Sequence, residues 1–307
     1  MKIYINSAKE NWIVDRIKKE WKKSNPYSYT QFSSRADIVW LVAPWTWKKV
    51  NIKILQSKKV VCSIYHIDED KFTTDDLNDF KDRDGYIDFY HTISIKSKIQ
   101  LQKLTTKPIF ISPFWVNQKI FFDIPNTQNL SKKLGFSPDD YLIGSFQRDT
   151  EGSDLKSPKL SKGPDRFIEM VEHYHKLNPN IAVVLTGKRR NYVITQLKAK
   201  KIKFYYFEMV DFTKLNQLYN CLDLYIVSSR FEGGPQSILE CAITNTPVIS
   251  TDVGIASEIL SKESIYNMET FYKAKPNTTQ AYQNVTKLTL PEGMDTFLKY
   301  FEEVYES

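Results

Sequence analysis

The chain has 307 residues, enough for about two domains of ordinary size, and its 41% hydrophobic and 26% charged residues are typical of a globular protein. It has no apolar run of the roughly 18 residues that a membrane-spanning helix needs and no signal peptide, so a cytoplasmic location is expected. The net charge of +7 indicates acidic partners such as nucleotide phosphates, anionic lipids or nucleic acid, although a lysine-rich composition without functional meaning explains it equally well. Three scattered cysteines argue against a disulfide framework and a zinc site.

The first half of the chain alternates short β-type runs with amphipathic segments. Helices are predicted at residues 12–23 and 96–104, where apolar residues recur at helical spacing. Strands are predicted at residues 2–6, 38–43, 59–65, 89–93 and 108–111. This alternation is typical of βαβ units and a parallel sheet.

The second half repeats the rhythm. The predicted strands are residues 141–146, 181–186, 204–207, 224–227 and 248–251, and the predicted helices are 164–177, 215–220 and 293–305. The Pro- and Asn-rich stretch 112–138 is interpreted as a linker. We therefore expect an α/β protein of two doubly wound Rossmann-like domains facing each other across a cleft. The domains are predicted at residues 1–118 and 119–292, with the helix at 293–307 packing back on the first.

The densest motif, SSRFEGGPQSILE at residues 228–240, follows a strand and opens a helix. Gly233 and Gly234 permit a close approach of backbone to ligand, and Pro235 suits the first helical position. The free N–H groups at the helix start, around Gln236 and Ser237, and the helix dipole make a site for a diphosphate.

Eight residues separate Glu232 from Glu240, which places one carboxylate before the helix and the other inside it. With the downstream residues 246–254 (TPVISTDVG) and Glu258, this pattern resembles the donor-binding region of family 4 retaining glycosyltransferases. The resemblance implies the GT-B fold, a contact of Glu232 with the donor sugar, and a contact of Glu240 with the nucleotide ribose. Gly187, at the end of the strand 181–186, is also assigned to the donor site.

A second match opens the C-terminal half, where Arg148 follows a strand and Lys162-Gly163 precedes a helix. By resemblance, Arg148 and Lys162 hold the diphosphate and offset the charge that grows on the leaving group. This chain departs from the family by a longer insertion at residues 149–160.

Two histidines of the first half end strand-like runs. His66 resembles the family histidine that approaches the donor sugar. His91 is the competing candidate for that contact and is also a candidate acceptor contact. The loop at residues 6–11 lacks the glycines that the family usually has there, so its role in binding phosphate is left open.

Trp45 and Trp47 lie among lysines at the end of a strand. They are candidates for a surface on which the acceptor sugar stacks, and an amphipathic packing surface is the equal alternative.

The resemblance implies a retaining glycosyltransferase that takes a UDP- or GDP-sugar as donor and a glycan, lipid-linked or other hydroxyl as acceptor. No metal or other cofactor is expected, and the alternatives for location are the free cytoplasm and peripheral contact with the inner membrane face. Two alternative functions are a nucleotide-sugar epimerase of the same fold and a basic protein that binds or glycosylates nucleic acid. Evenly spread lysines disfavour the nucleic-acid alternative.

Overall fold

The computed structural model describes residues 1–9 and 13–307. It divides the chain into a first unit, Met1–Trp115 with Leu290–Ser307, and a second unit, Val116–Thr289. These limits differ by three residues from the predicted boundaries at 118/119 and 292/293. Trp12, the first residue of the helix predicted at 12–23, lies outside the described residues. In the described part of the chain, no helix combines the length and the apolar character needed to cross a bilayer.

Every strand pairing in both sheets is parallel. The strands of the first unit are β1 (Ile3–Ile5), β2 (Tyr29–Thr30), β3 (Ile38–Leu41), β4 (Lys59–Ile64), β5 (Phe89–Thr92) and β6 (Ile109–Ile111). Those of the second unit are β7 (Tyr141–Ser145), β8 (Ile181–Thr186), β9 (Lys203–Phe207), β10 (Leu224–Val227), β11 (Val248–Thr251) and β12 (Ile265–Tyr266). The central strands are continuous apolar runs, as expected for sheets that are covered on both faces.

Helices connect these strands. In chain order they are α1 (Ile13–Ser24), α2 (Ile52–Ser57), α3 (Thr74–Asp84), α4 (Ile95–Gln102), α5 (Gln128–Leu134), α6 (Pro164–Leu177), α7 (Asn191–Ala199), α8 (Phe212–Asn220), α9 (Gln236–Ile243), α10 (Ala256–Ile259), α11 (Thr278–Thr286) and α12 (Glu292–Glu306). α5 falls within the stretch that was predicted to be a linker, so that prediction was wrong for its final third. Helix α8 begins three residues earlier than predicted because Asp211 caps it, accepting a hydrogen bond of 2.7 Å from the Lys214 amide.

The strand order of each sheet shows where a ligand site is expected. The first sheet runs β2-β1-β3-β4-β5-β6, so the chain reverses direction across the sheet between β1 and β3. The second runs β12-β11-β10-β7-β8-β9, with the reversal between β7 and β10. At such a switch point the loops leave neighbouring strands in opposite directions and open a crevice at the carboxyl edge.

The C-terminal helix α12 belongs to the core of the first unit. Its Phe297 and Phe301 are almost fully buried against Trp40 of β3, with ring centroids 5.6 and 5.0 Å apart. Trp21 of α1 packs edge-on against both Trp40 and Phe301. Aromatic side chains contribute large buried areas, so α12 stabilises the first unit although every strand of that unit precedes it by more than 180 residues in the chain.

Candidate functional site

The crevice between β7 and β10 collects most of the predicted residues of the second unit. Gln147 and Arg148 follow β7, and Ser229 and Glu232 follow β10. Lys162 lies in the short turn at residues 160–162 that leads into α6. The motif residues therefore meet at the switch point of the sheet, where the topology predicts a ligand.

Lys162 and Glu232, which are 70 residues apart in sequence, form an ion pair. Their side chains are 18% and 11% exposed, so the pair is shielded but open on one side. Ser229 Oγ lies 3.3 Å from Glu232 Oε1 and 3.2 Å from Gln147 Oε1. Gln147 Nε2 in turn donates to the Lys162 carbonyl at 2.8 Å, so one hydrogen-bonded network holds both charges in place.

Close backbone packing brings these two segments together. Gly163 has φ +61°, and a Cβ at this position would overlap the carbonyl oxygen of Ser228. Ser228 Oγ donates to the Gly163 carbonyl at 2.8 Å, and the Arg230 amide donates to the Ser161 carbonyl at 2.8 Å. Glycine is required here by both its dihedral angle and the contact.

Gly254 plays a similar part on the other side of the Glu232 loop. Its φ is +49°, and a Cβ would overlap the Gly233 carbonyl and stand 2.8 Å from the Glu232 carbonyl oxygen. From the sequence, Gly254 was recognised only as part of a family resemblance, and this packing role was not predicted. A glycine that follows an Asp-Val pair directly after a strand was the available signal.

Gly254→Ala is expected to lower the thermal stability of the protein and its affinity for any ligand that Glu232 binds. The added methyl group must displace the backbone of the Glu232 loop, beyond the cost of about 1–2 kcal/mol for the left-handed dihedral alone. Gly135→Ala is the matched control, because Gly135 has φ +86° with nothing within 4 Å of the new Cβ. Differential scanning fluorimetry of both variants measures the difference, and equal losses would contradict the contact.

The start of α9 differs in one detail from the prediction. Pro235 is the N-cap residue, with ψ 111°, and Gln236 is the first helical residue. Neither Gly233 nor Gly234 has a φ in the left-handed region. Ser237 hydrogen-bonds the buried hydroxyl of Tyr225, which anchors the first turn to β10. The N–H groups of this turn lie at the same carboxyl edge as Glu232.

Glu240, which the resemblance assigns to the nucleotide ribose, is buried, with only 6% of the residue exposed. Tyr219 Oη of α8 donates to Glu240 Oε2 at 2.9 Å. Burial and the neighbouring carboxylate raise the pKa of Tyr219 well above its ordinary value, so the tyrosine remains the proton donor. Tyr219 was missed by sequence reasoning, and it orients the carboxylate that was assigned to the ribose.

Arg148 and Gly187 lie at the neighbouring strand ends. Arg148 is half-buried, and its Nε donates to the Thr150 carbonyl at 2.7 Å. Gly187 follows β8, and its carbonyl accepts a hydrogen bond of 3.0 Å from Tyr206 Oη. Both residues are at the carboxyl edge of the second sheet, and their assignment to a donor remains a prediction.

A buried ion pair supports this edge of the sheet and was not foreseen. Arg190 and Asp149 are 1% and 2% exposed, and Arg190 Nε donates to Asp149 Oδ2 at 2.8 Å. The same guanidinium donates to the Ser145 carbonyl and, at 3.0 Å, to the Thr186 carbonyl. Arg190 thus ties the ends of β7 and β8 to the segment that follows Arg148.

The two histidines of the first unit have different environments. His66 is exposed after β4. His91 is 1% exposed, with Nδ1 2.9 Å from Ser63 Oγ and Nε2 2.8 Å from the Ser112 carbonyl. Burial lowers the pKa of His91 to about 4, so the ring is neutral at pH 7. His91 is therefore a core residue, and its prediction as an acceptor contact was wrong because the strand face that carries it is covered.

The predicted tryptophan pair is also divided. Trp47 is 5% exposed, packs in the core and directs its Nε1 toward Asp79. Trp45 is 52% exposed in the turn after β3.

Asn6, which follows β1, fixes that turn at the β1/β3 switch point. Its Nδ2 donates to the Ala43 carbonyl at 2.9 Å, and its Oδ1 accepts from the Ala43 amide at 3.0 Å. The loop prediction at residues 6–11 also includes Glu10 and Asn11, which lie outside the described residues.

Several charged side chains lie close together at this edge of the second sheet. Among residues 1–9 and 13–307, no group of three or more His, Cys, Asp and Glu side chains is arranged to hold a metal ion. Burial lowers the pKa of Lys159, and the charges of Lys162 and Arg148 lower it further, whereas the carboxylates of Glu151 and Glu232 act in the opposite direction.

Comparison with known proteins gives a family match within the second unit. Residues 156–290 match the family model of the glycosyl transferases group 1. A lipopolysaccharide core biosynthesis mannosyltransferase, LpsB of Rhizobium meliloti (strain 1021), is 25% identical over 165 residues, which cover 46% of this chain. The match spans 44% of that relative, so less than half of its length is represented.

Solved structures resemble the chain along almost its whole length. The Anabaena protein HepE in complex with UDP and glucose superposes with a TM-score of 0.78, at 11% identity over 99% of this chain and 100% of that one. A sucrose-phosphate synthase from Thermosynechococcus elongatus gives a TM-score of 0.69, at 12% identity over 98% of this chain and 81% of that one. Together with the two parallel sheets, these matches confirm the predicted GT-B fold with two Rossmann-like α/β domains.

Proposed function

We propose that this chain, which has a GT-B fold and whose residues 156–290 match the family model of the glycosyl transferases group 1, transfers a sugar from a nucleoside-diphosphate sugar to a hydroxyl acceptor. The observation that carries the proposal is the Lys162–Glu232 pair at the β7/β10 switch point. A cation suited to phosphate and a carboxylate suited to sugar hydroxyls lie side by side there, each held by a hydrogen-bonded network.

The donor diphosphate is proposed to lie between Lys162, Arg148 and the first turn of α9. When the bond from the anomeric carbon to the phosphate oxygen breaks, negative charge grows on the leaving group. Preorganised cations and N–H groups stabilise this charge most strongly in a site with little water. The ribose is assigned to Glu240, whose carboxylate is already oriented by Tyr219.

Retention of anomeric configuration is part of the proposal. The acceptor hydroxyl attacks the face from which the diphosphate leaves, and a phosphate oxygen takes the hydroxyl proton. This scheme needs no protein nucleophile. Glu232 orients the sugar hydroxyls in this scheme and is held in place by its contact with Lys162.

A UDP- or GDP-sugar is the proposed donor, without a metal requirement. HepE was solved with UDP and glucose, and LpsB is named a mannosyltransferase, which supports a hexose donor of this kind. The test is a thermal-shift screen against UDP, GDP, ADP, CMP and their sugar conjugates, with and without EDTA. Stabilisation by one nucleoside diphosphate that persists in EDTA is expected, since binding to the native state alone raises the melting temperature.

Glu240→Ala is expected to abolish that stabilisation, whereas Glu169→Ala, an exposed carboxylate on α6, is expected to leave it unchanged. If no nucleotide stabilises the unaltered protein, or if EDTA removes the effect, the proposed donor chemistry is wrong.

A glycan or lipid-linked acceptor is proposed to contact Trp45. The ring is exposed at the switch point of the first sheet, and an aromatic face stacks well on a sugar ring.

Peripheral contact with an anionic membrane surface is supported by Ile95 and Ile99, which are 53% and 55% exposed on α4 with Lys98 between them. A cytoplasmic location remains a prediction, and co-sedimentation with anionic vesicles tests the membrane contact.

Trp45→Ala is expected to raise the acceptor KM about five-fold and to leave donor binding unchanged, because one stacking contact contributes about 1 kcal/mol. Tyr27→Ala is the control, since Tyr27 is 88% exposed but precedes β2 and therefore lies at the opposite, amino edge of the parallel sheet. Steady-state kinetics with the acceptor varied at saturating donor measure both variants. An unchanged acceptor KM in Trp45→Ala would remove this residue from the acceptor site.

A further inference from the structure

The insertion at residues 149–160 is a closed hairpin with its own hydrogen bonds. Thr150 and Pro158 form a β-bridge, and the Glu151 amide donates to the Ser157 carbonyl at 3.0 Å. At the tip, Asp154 Oδ1 accepts from the Lys156 amide at 3.0 Å. The segment that departs from the family pattern is therefore an ordered element.

The base of the hairpin is fixed at the candidate site. Asp149 is held by the buried pair with Arg190, and its amide donates to the Arg189 carbonyl at 3.1 Å. The Lys159 amide donates to the Asp149 carbonyl at 2.8 Å, which closes the hairpin. The Lys162 amide donates to the Lys159 carbonyl at 2.8 Å. Lys159 is thus connected through the backbone to both the Arg148–Asp149 strand end and the Lys162 turn.

The ammonium group of Lys159 makes fewer direct contacts than the charged groups of Lys162 and Arg148. Lys162 is paired with Glu232, and Arg148 donates to the Thr150 carbonyl. The Lys159 side chain is half-buried, and within the described part of the chain its ammonium group has neither a hydrogen bond nor an ion pair. The carboxylates of Glu151 and Glu232 offset part of the repulsion of Lys159 by Lys162 and Arg148, and an anion bound among the three cations would offset more of it.

We infer that Lys159 is a third phosphate-binding cation, which the hairpin adds to Arg148 and Lys162 for the diphosphate of the donor. The inference rests on the proposed function, and it assigns a substrate-binding role to a residue outside the glycosyltransferase motifs. A diphosphate group carries two to three negative charges, so three cations match it better than two. The hairpin therefore makes the site more selective for a diphosphate over a monophosphate, because Lys159 contacts only the second phosphate group.

The test uses the full chain with K159M, which keeps the apolar stem of the lysine, and K156M as the matched control at the exposed tip of the same hairpin. Isothermal titration measures binding of the nucleoside diphosphate selected by the thermal-shift screen, the corresponding monophosphate, and inorganic pyrophosphate. K159M is expected to weaken diphosphate and pyrophosphate binding about ten-fold or more and monophosphate binding less than three-fold. K156M is expected to match the unaltered protein.

The two proposals fail in different ways. If the unaltered protein binds none of the three compounds, the proposed function fails and this inference fails with it. If it binds the diphosphate and K159M binds equally well, only the role of Lys159 is overturned. An equal loss for mono- and diphosphate would also overturn it, because Lys159 would then support the fold of the site rather than the second phosphate. K159R, which keeps the positive charge, is expected to retain most of the diphosphate affinity that K159M loses. This comparison shows whether the charge of Lys159 or its packing is responsible for the affinity.

Discussion

Lys162→Met is expected to lower kcat for sugar transfer by about 10²–10³-fold, with a smaller change in the donor KM. The ammonium group lies at the β7/β10 switch point in contact with Glu232, where it can follow the charge that develops on the departing diphosphate. Removing one preorganised donor to such a charge typically costs about 3–4 kcal/mol in the transition state and less in the ground state. Steady-state kinetics with the donor varied measure both parameters.

Lys176→Met is the control, since Lys176 is 72% exposed on α6 and pairs only at the surface with Glu172. Glu232→Gln, alone and combined with Lys162→Met, tests whether Lys162 acts on the diphosphate or only neutralises Glu232. If Lys162 served only to neutralise Glu232, the double variant would recover activity that each single variant loses. We expect no recovery, because the two side chains are assigned to different parts of the donor.

Asp149→Leu is expected to lower the free energy of unfolding by about 3–5 kcal/mol, the largest stability effect we predict. The substitution leaves the fully buried guanidinium of Arg190 without its anion, and an arginine side chain stays protonated in proteins. The carbonyls of Ser145 and Thr186 still accept its hydrogen bonds but do not neutralise its charge. Urea denaturation monitored by circular dichroism gives the change.

The double variant with Asp149→Leu and Arg190→Met is the informative comparison. It removes both charges and replaces them with apolar groups of similar volume, so we expect it to be more stable than Asp149→Leu alone. If the double variant instead loses the sum of the two single effects, the pair does not interact as described. Its catalytic activity should still fall, because the base of the hairpin and the position of Arg148 depend on the pair.

The alternation of apolar runs and amphipathic segments was enough to predict two parallel α/β domains. The buried strands β8 and β10 were placed at the correct residues because a continuous apolar run between polar turns is a local signal. The strands β2 and β12 were missed because a two-residue strand has no periodicity to detect. α5 was missed because the Pro-, Asn- and Gln-rich composition of its surroundings hid a helix of seven residues.

For the site, the sequence identified the motif that carries Glu232 and the turn that carries Lys162, because glycines, proline and spacing are local properties of the chain. Their contact across 70 residues was decided by the tertiary structure, since only the strand order brings the ends of β7 and β10 together. The same holds for the Arg190–Asp149 pair, and for the burial of His91 and Trp47. Residue type and spacing specify which groups are available, whereas burial and pairing depend on which elements cover each face of a sheet.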